Sequence, residues 1–122
     1  MDIAYKHQPN FFIVGAPKSG TTSVNAWLAK HPQIFMAEPK DENYLVPPIK
    51  NSHKMKHAQM FNQVTGNPLI IGEASCYYFF KYEAIDYIEN FFPNSKFLVL
   101  LRNPISLSQS ITNNDSKAVF LL

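Results

Sequence analysis

The feature that most constrains the fold is an alternation between short, continuously apolar runs and segments with helical spacing. The apolar runs occupy residues 11–15, 33–37, 69–72 and 96–101. Helices are predicted from Thr21 or Thr22 to about Lys30, over 56–64, over 82–92 and from Pro104 onward, with a proline-broken loop over 38–54. Strands that are apolar throughout are typical of parallel sheets covered on both faces. We therefore predict an α/β fold, a parallel sheet with flanking helices.

Length and composition predict one globular domain over residues 1–122. The chain is 46% hydrophobic and 16% charged, and its net charge is only +2, so it lacks the strong positive field of a nucleic-acid-binding protein. The lone cysteine, Cys76, cannot form an internal disulfide. No apolar run approaches the ~20 residues that span a bilayer, and the N-terminal residues lack a signal-peptide core. We expect a cytoplasmic protein without a membrane span or a nucleic-acid partner.

The segment that follows the first strand has the chemistry of a phosphate-binding loop. It reads GAPKSGTT over residues 15–22 and opens a helix. Backbone N–H groups at a helix N-terminus attract anions, and Lys18 adds a full positive charge. The Walker A pattern places its lysine after the second glycine, whereas here Thr21 follows Gly20. We therefore expect a nucleotide phosphate held without a required metal.

Residues 12–28 (FIVGAPKSGTTSVNAWL) resemble the 5′-phosphosulfate loop of the sulfotransferase superfamily, which has the form P-K-[ST]-G-T-[TS]. The resemblance implies a P-loop NTPase-like α/β fold and the co-substrate 3′-phosphoadenosine 5′-phosphosulfate. It also implies donor-binding roles for five residues and a catalytic role for the first of them. These residues are Lys18, Ser19, Gly20, Thr21 and Thr22.

The turn after the 96–101 run resembles the 3′-phosphate segment of the same family, in which an arginine and a serine eight residues later hold the nucleotide. Arg102 and Ser110 match these positions. Arginine is always charged and binds phosphate with a planar fork. Many members carry a second arginine where this chain has residues 107–109, and Ser108 could replace Ser110.

The acidic segment EPKDENYL, residues 38–45, resembles the Lys-Glu pair of the carbohydrate branch, whose glutamate is the catalytic base. The match places Lys40 on the lysine and Asp41 on the glutamate. Glu42 is the alternative base, since either carboxylate could take a proton within ~3 Å. The four histidines are expected at the surface; they are His7, His31, His53 and His57.

The segment GEASCYY, residues 72–78, resembles a family segment that lines the acceptor side of the cleft. Cys76 is expected to be a buried or half-buried thiol without a nucleophilic role. Tyr78 is expected in the core, although it could contact a substrate. A further apolar set on the 82–92 helix is also predicted to be core. Its members are Ile85, Ile88, Phe91 and Phe92.

The resemblance implies a sulfotransferase that moves a sulfuryl group to an acceptor hydroxyl or amine, and a carbohydrate is one candidate acceptor. It extends over residues 11–110, the first half of a usual family domain. The 96–101 strand would then lack a covering neighbour, so self-association through an exposed sheet edge is predicted. Two alternatives remain open. The chain could be a truncated, non-catalytic remnant of the family, or another P-loop enzyme such as a kinase.

Overall fold

A computed structural model describes residues 5–16, 20–38, 40–102 and 117–121, and for residues 101, 102 and 117–121 it describes the backbone only. Five strands in these ranges form one sheet in the order β2-β3-β1-β4-β5. They are β1 (Phe11–Gly15), β2 (Ile34–Met36), β3 (Ile70–Ala74), β4 (Lys96–Arg102) and β5 (Lys117–Leu121). The helices are α1 (Thr21–Ala29), α2 (Asn51–Met60), α3 (Tyr82–Phe91) and a 3₁₀ helix (Cys76–Phe80).

The first four strands run parallel to one another, which confirms the predicted α/β class. Strand β1 lies at the centre, between β3 and β4. Its successive side chains point to opposite faces, as in any strand. Phe12 and Val14 join one buried cluster with Ile88 of α3, whereas Ile13 joins a second cluster against Val24 of α1. Coverage of both faces explains why the whole of β1 is apolar.

The last strand, β5, runs antiparallel to β4 and pairs with it from Leu98 to Arg102. The prediction that the outer edge of β4 is exposed is therefore wrong. Residues 117–121 read KAVFL, and the valine, phenylalanine and leucine favour a strand. The apolar tail thus supplies the covering neighbour that β4 was expected to lack, and the basis for self-association through that edge is removed.

Helix α2 begins earlier than predicted, at Asn51 instead of residue 56. Pro47 and Pro48 suggested a loop through residue 54, but both precede the helix, where a proline disturbs no intrahelical hydrogen bond. With these bounds, His57 lies in the last turn of α2. His57 is fully buried and contacts the carboxylate of Glu73, so its predicted surface position is wrong. A buried histidine requires polar partners, and those partners lie far away in the sequence.

Two adjacent phenylalanines at the end of α3 differ in burial, although both were predicted to be core. Phe92 is 4% exposed and packs against Phe12, whereas Phe91 is 57% exposed and stacks on Tyr87. We predict that Phe92→Ala lowers the free energy of unfolding by about 3–5 kcal/mol. Phe91→Ala should lower it by less than about 1.5 kcal/mol, because only an exposed ring pair is lost. Urea denaturation measures both, and equal losses would contradict this packing.

Candidate functional site

The carboxyl ends of the four parallel strands bring the candidate site segments to one edge of the sheet. The phosphate loop follows β1, the acidic segment follows β2, and the 3₁₀ helix follows β3. Backbone hydrogen bonds join these segments. The Asp41 N–H donates to the Ala74 carbonyl at 2.6 Å, and the Ser75 N–H donates to the Ile13 carbonyl at 3.0 Å. Ligand sites in parallel α/β sheets lie at this edge.

The start of α1 has the backbone of an anion-binding helix N-terminus. Gly20 is the N-cap and has a φ of 87°, a left-handed conformation that glycine adopts without steric cost. No side-chain cap occurs among the described residues, so the first N–H groups of α1 are not used by a capping side chain. Pro17, Lys18 and Ser19 lie outside the described residues. The donor contacts predicted for Lys18 and Ser19 therefore remain predictions.

The two threonines of the loop have different surroundings. Thr22 is exposed and lines an open cleft. Thr21 is 4% exposed, and its hydroxyl lies 3.0 Å from the Cys76 sulfur. Cys76 is buried, as predicted, and burial raises the pKa of its thiol. A protonated thiol at this position fits a structural contact between the 3₁₀ helix and α1.

Asp41 is held at the same edge by contacts on both of its carboxylate oxygens. Oδ1 accepts the Cys76 N–H at 3.0 Å, and Oδ2 contacts the Lys40 ammonium. Cys76 therefore touches both the candidate base and Thr21 at the start of α1. Glu42, the alternative base, is exposed and lies beside Tyr44, whose pKa is raised by burial and by the Glu42 carboxylate. The two neighbouring carboxylates thus have separate surroundings.

The contacts of Asp41 keep it ionised. Partial burial alone would raise the pKa of the Asp41 carboxyl. Hydrogen bonds from Lys40 and from the Cys76 N–H outweigh this effect, so the pKa lies below the ordinary aspartate value. Each carboxylate oxygen has a second lone pair, so Asp41 can still accept a proton from a bound ligand.

An open cleft of about 630 Å³ lies between α1 and the acidic segment. Its described lining comprises Thr22, Asn25, Ala26, Glu38, Lys40 and Gln63. Asn25 is 7% exposed, and its Oδ1 has no hydrogen-bond partner among the residues that the structure describes. Sequence reasoning missed Asn25, although it lies one helical turn after Thr21 and Thr22 on a helix whose neighbouring positions are apolar. A buried polar atom without a hydrogen-bond partner is uncommon in folded proteins, so Asn25 is a further candidate site residue.

The predicted 3′-phosphate site, with Arg102 and Ser110, lies only partly within the described residues. Arg102 ends β4, which places its backbone at the same sheet edge as Gly20 and Asp41, but its side chain lies outside the described part. Ser110 and the helix predicted from Pro104 also fall outside it. Tyr78, expected in the core, is fully buried.

Among the described residues, no group of three or more histidine, cysteine or acidic side chains could together hold a metal ion. None of the helices in the described ranges is long and apolar enough to cross a membrane.

Comparisons with known proteins agree on one family. The family described as "Sulfotransferase family" matches residues 9–74, more than half of the 122-residue chain. The membrane-associated sulfotransferase kil1 of Dictyostelium discoideum is 35% identical over 104 residues, which cover 84% of this chain and 22% of that protein. Human protein-tyrosine sulfotransferase 1 is 29% identical over an alignment of 123 positions, which covers 81% of this chain and 32% of that protein.

A solved structure gives the same result. The crystal structure of a sulfotransferase from Alicyclobacillus acidocaldarius superimposes with a TM-score of 0.70 at 30% sequence identity. The match covers 85% of this chain and 48% of that one. The chain therefore spans about half of that structure and a third or less of the two relatives.

We predict that Lys40→Met raises the pKa of Asp41, because the ammonium that stabilises the carboxylate is lost. Carbon-13 NMR titration of the Asp41 side-chain carboxyl measures this pKa. The matched control is Lys56→Met, because Lys56 is an exposed lysine on α2. The folded-state pKa of Asp41 is depressed, so the stability that its ionisation contributes is present above the unfolded pKa and is lost as the pH falls through the folded value. An unchanged titration in Lys40→Met would contradict the contact.

We also predict that the Cys76 thiol reacts slowly with an aromatic disulfide reagent in the folded protein. Burial both shields the sulfur and disfavours the reactive thiolate. In urea at about 6 M, a concentration chosen to unfold the chain, the reaction should become fast. Equal rates in the folded and the unfolded protein would show that Cys76 is not buried against Thr21.

Proposed function

Because the chain belongs to the sulfotransferase family, we propose that it forms the nucleotide-binding part of an enzyme that transfers a sulfuryl group. The donor is 3′-phosphoadenosine 5′-phosphosulfate, and the acceptor is a hydroxyl or an amine. One observation carries the proposal. Cys76 contacts Thr21 at the start of α1 and also the Asp41 carboxylate, so the phosphate-binding and proton-accepting segments lie side by side.

The proposed donor-binding residues belong to the phosphate loop and to the segment that follows β4. The N–H groups at the start of α1, together with Lys18 and Ser19, bind the 5′-phosphate. Thr22, exposed on the first turn, adds a hydroxyl donor. Arg102 and Ser110 bind the 3′-phosphate. This second contact selects the donor against ATP, which has no 3′-phosphate.

The proposed step is an in-line displacement at sulfur. Asp41 takes the proton from the acceptor, whose oxygen or nitrogen forms the new bond to sulfur. The bond between sulfur and the bridging phosphate oxygen breaks, and its electron pair leaves with the nucleotide. Lys18 stabilises the negative charge that develops on that oxygen. Asp41 is preferred to Glu42 because its carboxylate accepts the Cys76 N–H, and the Cys76 sulfur contacts Thr21 at the start of α1.

The lining of the cleft between α1 and the acidic segment supports a hydroxyl-rich acceptor such as a carbohydrate. Thr22, Asn25 and Gln63 offer neutral hydrogen-bonding groups, and Glu38 and Lys40 add one charge of each sign. The name of the human relative points to tyrosine in protein as the competing acceptor. The described lining contains no aromatic side chain on which a phenol ring could stack.

Calorimetric titration tests the donor site. We expect saturable binding of 3′-phosphoadenosine 5′-phosphate and none of ATP with magnesium. Lys18→Ala should weaken the binding about 10- to 100-fold, since a charge-assisted hydrogen bond contributes about 1.5–3 kcal/mol. Lys30→Ala, at the exposed end of α1, is the matched control. Equal effects of the two substitutions, or equal binding of both nucleotides, would overturn the proposed site.

A second experiment separates the two candidate bases. Asp41→Asn should lower kcat by about 10²- to 10⁴-fold, the usual contribution of a positioned base, and leave the affinity for the nucleotide product unchanged. Glu42→Gln should change kcat little, because its carboxylate is exposed. A larger loss in Glu42→Gln would exchange the two roles. A folded wild-type chain that binds nucleotide without turnover would support the non-catalytic alternative.

A further inference from the structure

We propose that Glu73 is the positioning residue for Asp41, and that it acts through the hydroxyls of Ser75 and Tyr78. The inference rests on the proposed function only in that Asp41 is taken as the base. The arrangement itself is visible in the contacts of β3, the 3₁₀ helix and the acidic segment.

Glu73 is a carboxylate in the interior, only 2% exposed. Its Oε1 accepts the Ser75 hydroxyl at 2.6 Å, and its Oε2 accepts the Tyr78 hydroxyl at 3.1 Å. His57 Nε2 contacts Oε2 as well. A buried carboxylate is costly unless hydrogen-bond donors surround it, and these three groups supply the donors. These three partners therefore hold the Glu73 carboxylate in place, and the carboxylate in turn orients the three partners.

The two hydroxyls connect Glu73 to the backbone that follows Asp41. Ser75 Oγ accepts the Asn43 N–H at 3.2 Å, and the Tyr78 hydroxyl oxygen accepts the Leu45 N–H at 3.3 Å. Each hydroxyl has a single proton. Because Glu73 only accepts, both protons point towards it, and both oxygens are left to accept from the segment. The carboxylate thus sets the direction of two consecutive hydrogen bonds.

The segment needs such anchors because its backbone is unfavourable. Asp41 has a φ of 64° and Asn43 a φ of 54°, in the left-handed region. Aspartate and asparagine adopt this region more readily than other residues with a Cβ, but less readily than glycine. Such conformations persist when surrounding contacts hold them in place. The side chain of Asn43 makes two more hydrogen bonds. Its Nδ2 donates to the Asp41 carbonyl, and its Oδ1 accepts the Tyr77 N–H. Anchoring through Glu73 therefore favours the backbone conformation that directs the Asp41 carboxylate to Cys76.

The far end of the network has matching polarity. The Tyr5 hydroxyl lies against His57 Nδ1. Burial, followed by the charges of Tyr87 and Glu73, raises the pKa of Tyr5, so its hydroxyl keeps its proton and donates to His57. His57 then donates its Nε2 proton to Glu73. This pattern of hydrogen bonds assigns the His57 tautomer that carries its proton on Nε2. Every proton between Tyr5 and the Asp41 segment points towards Glu73 from both sides.

Three substitutions test the proposal on the full chain. Ser75→Ala removes one connecting hydroxyl, and Glu73→Gln introduces a donor that must reverse one of the hydrogen bonds. Ser95→Ala is the matched control, since the Ser95 hydroxyl is buried without a partner among the described residues. Circular dichroism and urea denaturation establish that each variant folds. If Glu73→Gln does not fold, Ser75→Ala still carries the test.

The deciding readout is the titration of Asp41 by carbon-13 NMR, which requires no turnover. Loosening the segment removes the Cys76 N–H from the carboxylate, so the pKa of Asp41 should rise towards its ordinary value in Ser75→Ala and in Glu73→Gln. It should be unchanged in Ser95→Ala. An Asp41 titration that is identical in wild type and in both folded test variants would overturn the proposal, because a role confined to stability would leave that pKa unchanged.

Turnover provides the second readout and keeps the two proposals apart. In an active protein, Ser75→Ala should lower kcat by about 10- to 100-fold, the scale of a misplaced reacting group, with the KM for the donor unchanged. A raised KM with unchanged kcat would contradict positioning of the base. If the wild type shows no turnover, the proposed function fails, while the NMR titration still decides whether Glu73 positions Asp41.

Discussion

The structure depends on the burial of β1 at the centre of the sheet. Phe12 and Val14 pack on one face and Ile13 on the other, so the strand holds helices on both sides in place. Its hydrogen bonds to β3 and β4 also fix where three chain segments leave the sheet. The start of α1, the acidic segment and the 3₁₀ helix meet because the strands before them are parallel and end at the same edge.

Polar burial complements this apolar core. Glu73 lies beside a cluster of aromatic rings, and its hydrogen bonds to Ser75, Tyr78 and His57 offset the cost of placing a charge there. The same hydroxyls hold the segment that carries Asp41. Core and site are therefore not independent. Removing a hydrogen bond of Glu73 in the interior should change how the Asp41 carboxylate is held at the sheet edge.

Sequence reasoning was most accurate where the structure is determined locally. The bounds of β1 agree with the apolar run, and α1 starts at Thr21 because glycine precedes it. The buried state of His57 was not predictable in this way, since its partner Glu73 lies on another element. Phe91 and Phe92 show the same limit, because helical spacing defines a stripe without showing where it ends.

The candidate site likewise combines features that the local sequence predicts with features that depend on long-range contacts. The phosphate loop is continuous in sequence, so it could be identified from eight residues. The preference for Asp41 over Glu42 gains its physical basis only from Cys76, a contact across 35 positions. Asn25 becomes a candidate site residue only through the cleft between α1 and the acidic segment. Predictions from sequence therefore located the segments, and long-range packing distinguished neighbouring residues within them.

Amide NMR mapping during titration with 3′-phosphoadenosine 5′-phosphate tests most directly whether one sheet edge forms one site. Saturable shifts are predicted for the amides of Gly20, Thr21 and Thr22, and for Asp41 and Cys76 beside them. The amides of α3, which packs on the far face, should not shift. Shifts confined to α3, or the absence of saturable shifts in a folded chain, would contradict a nucleotide site at the carboxyl ends of the parallel strands.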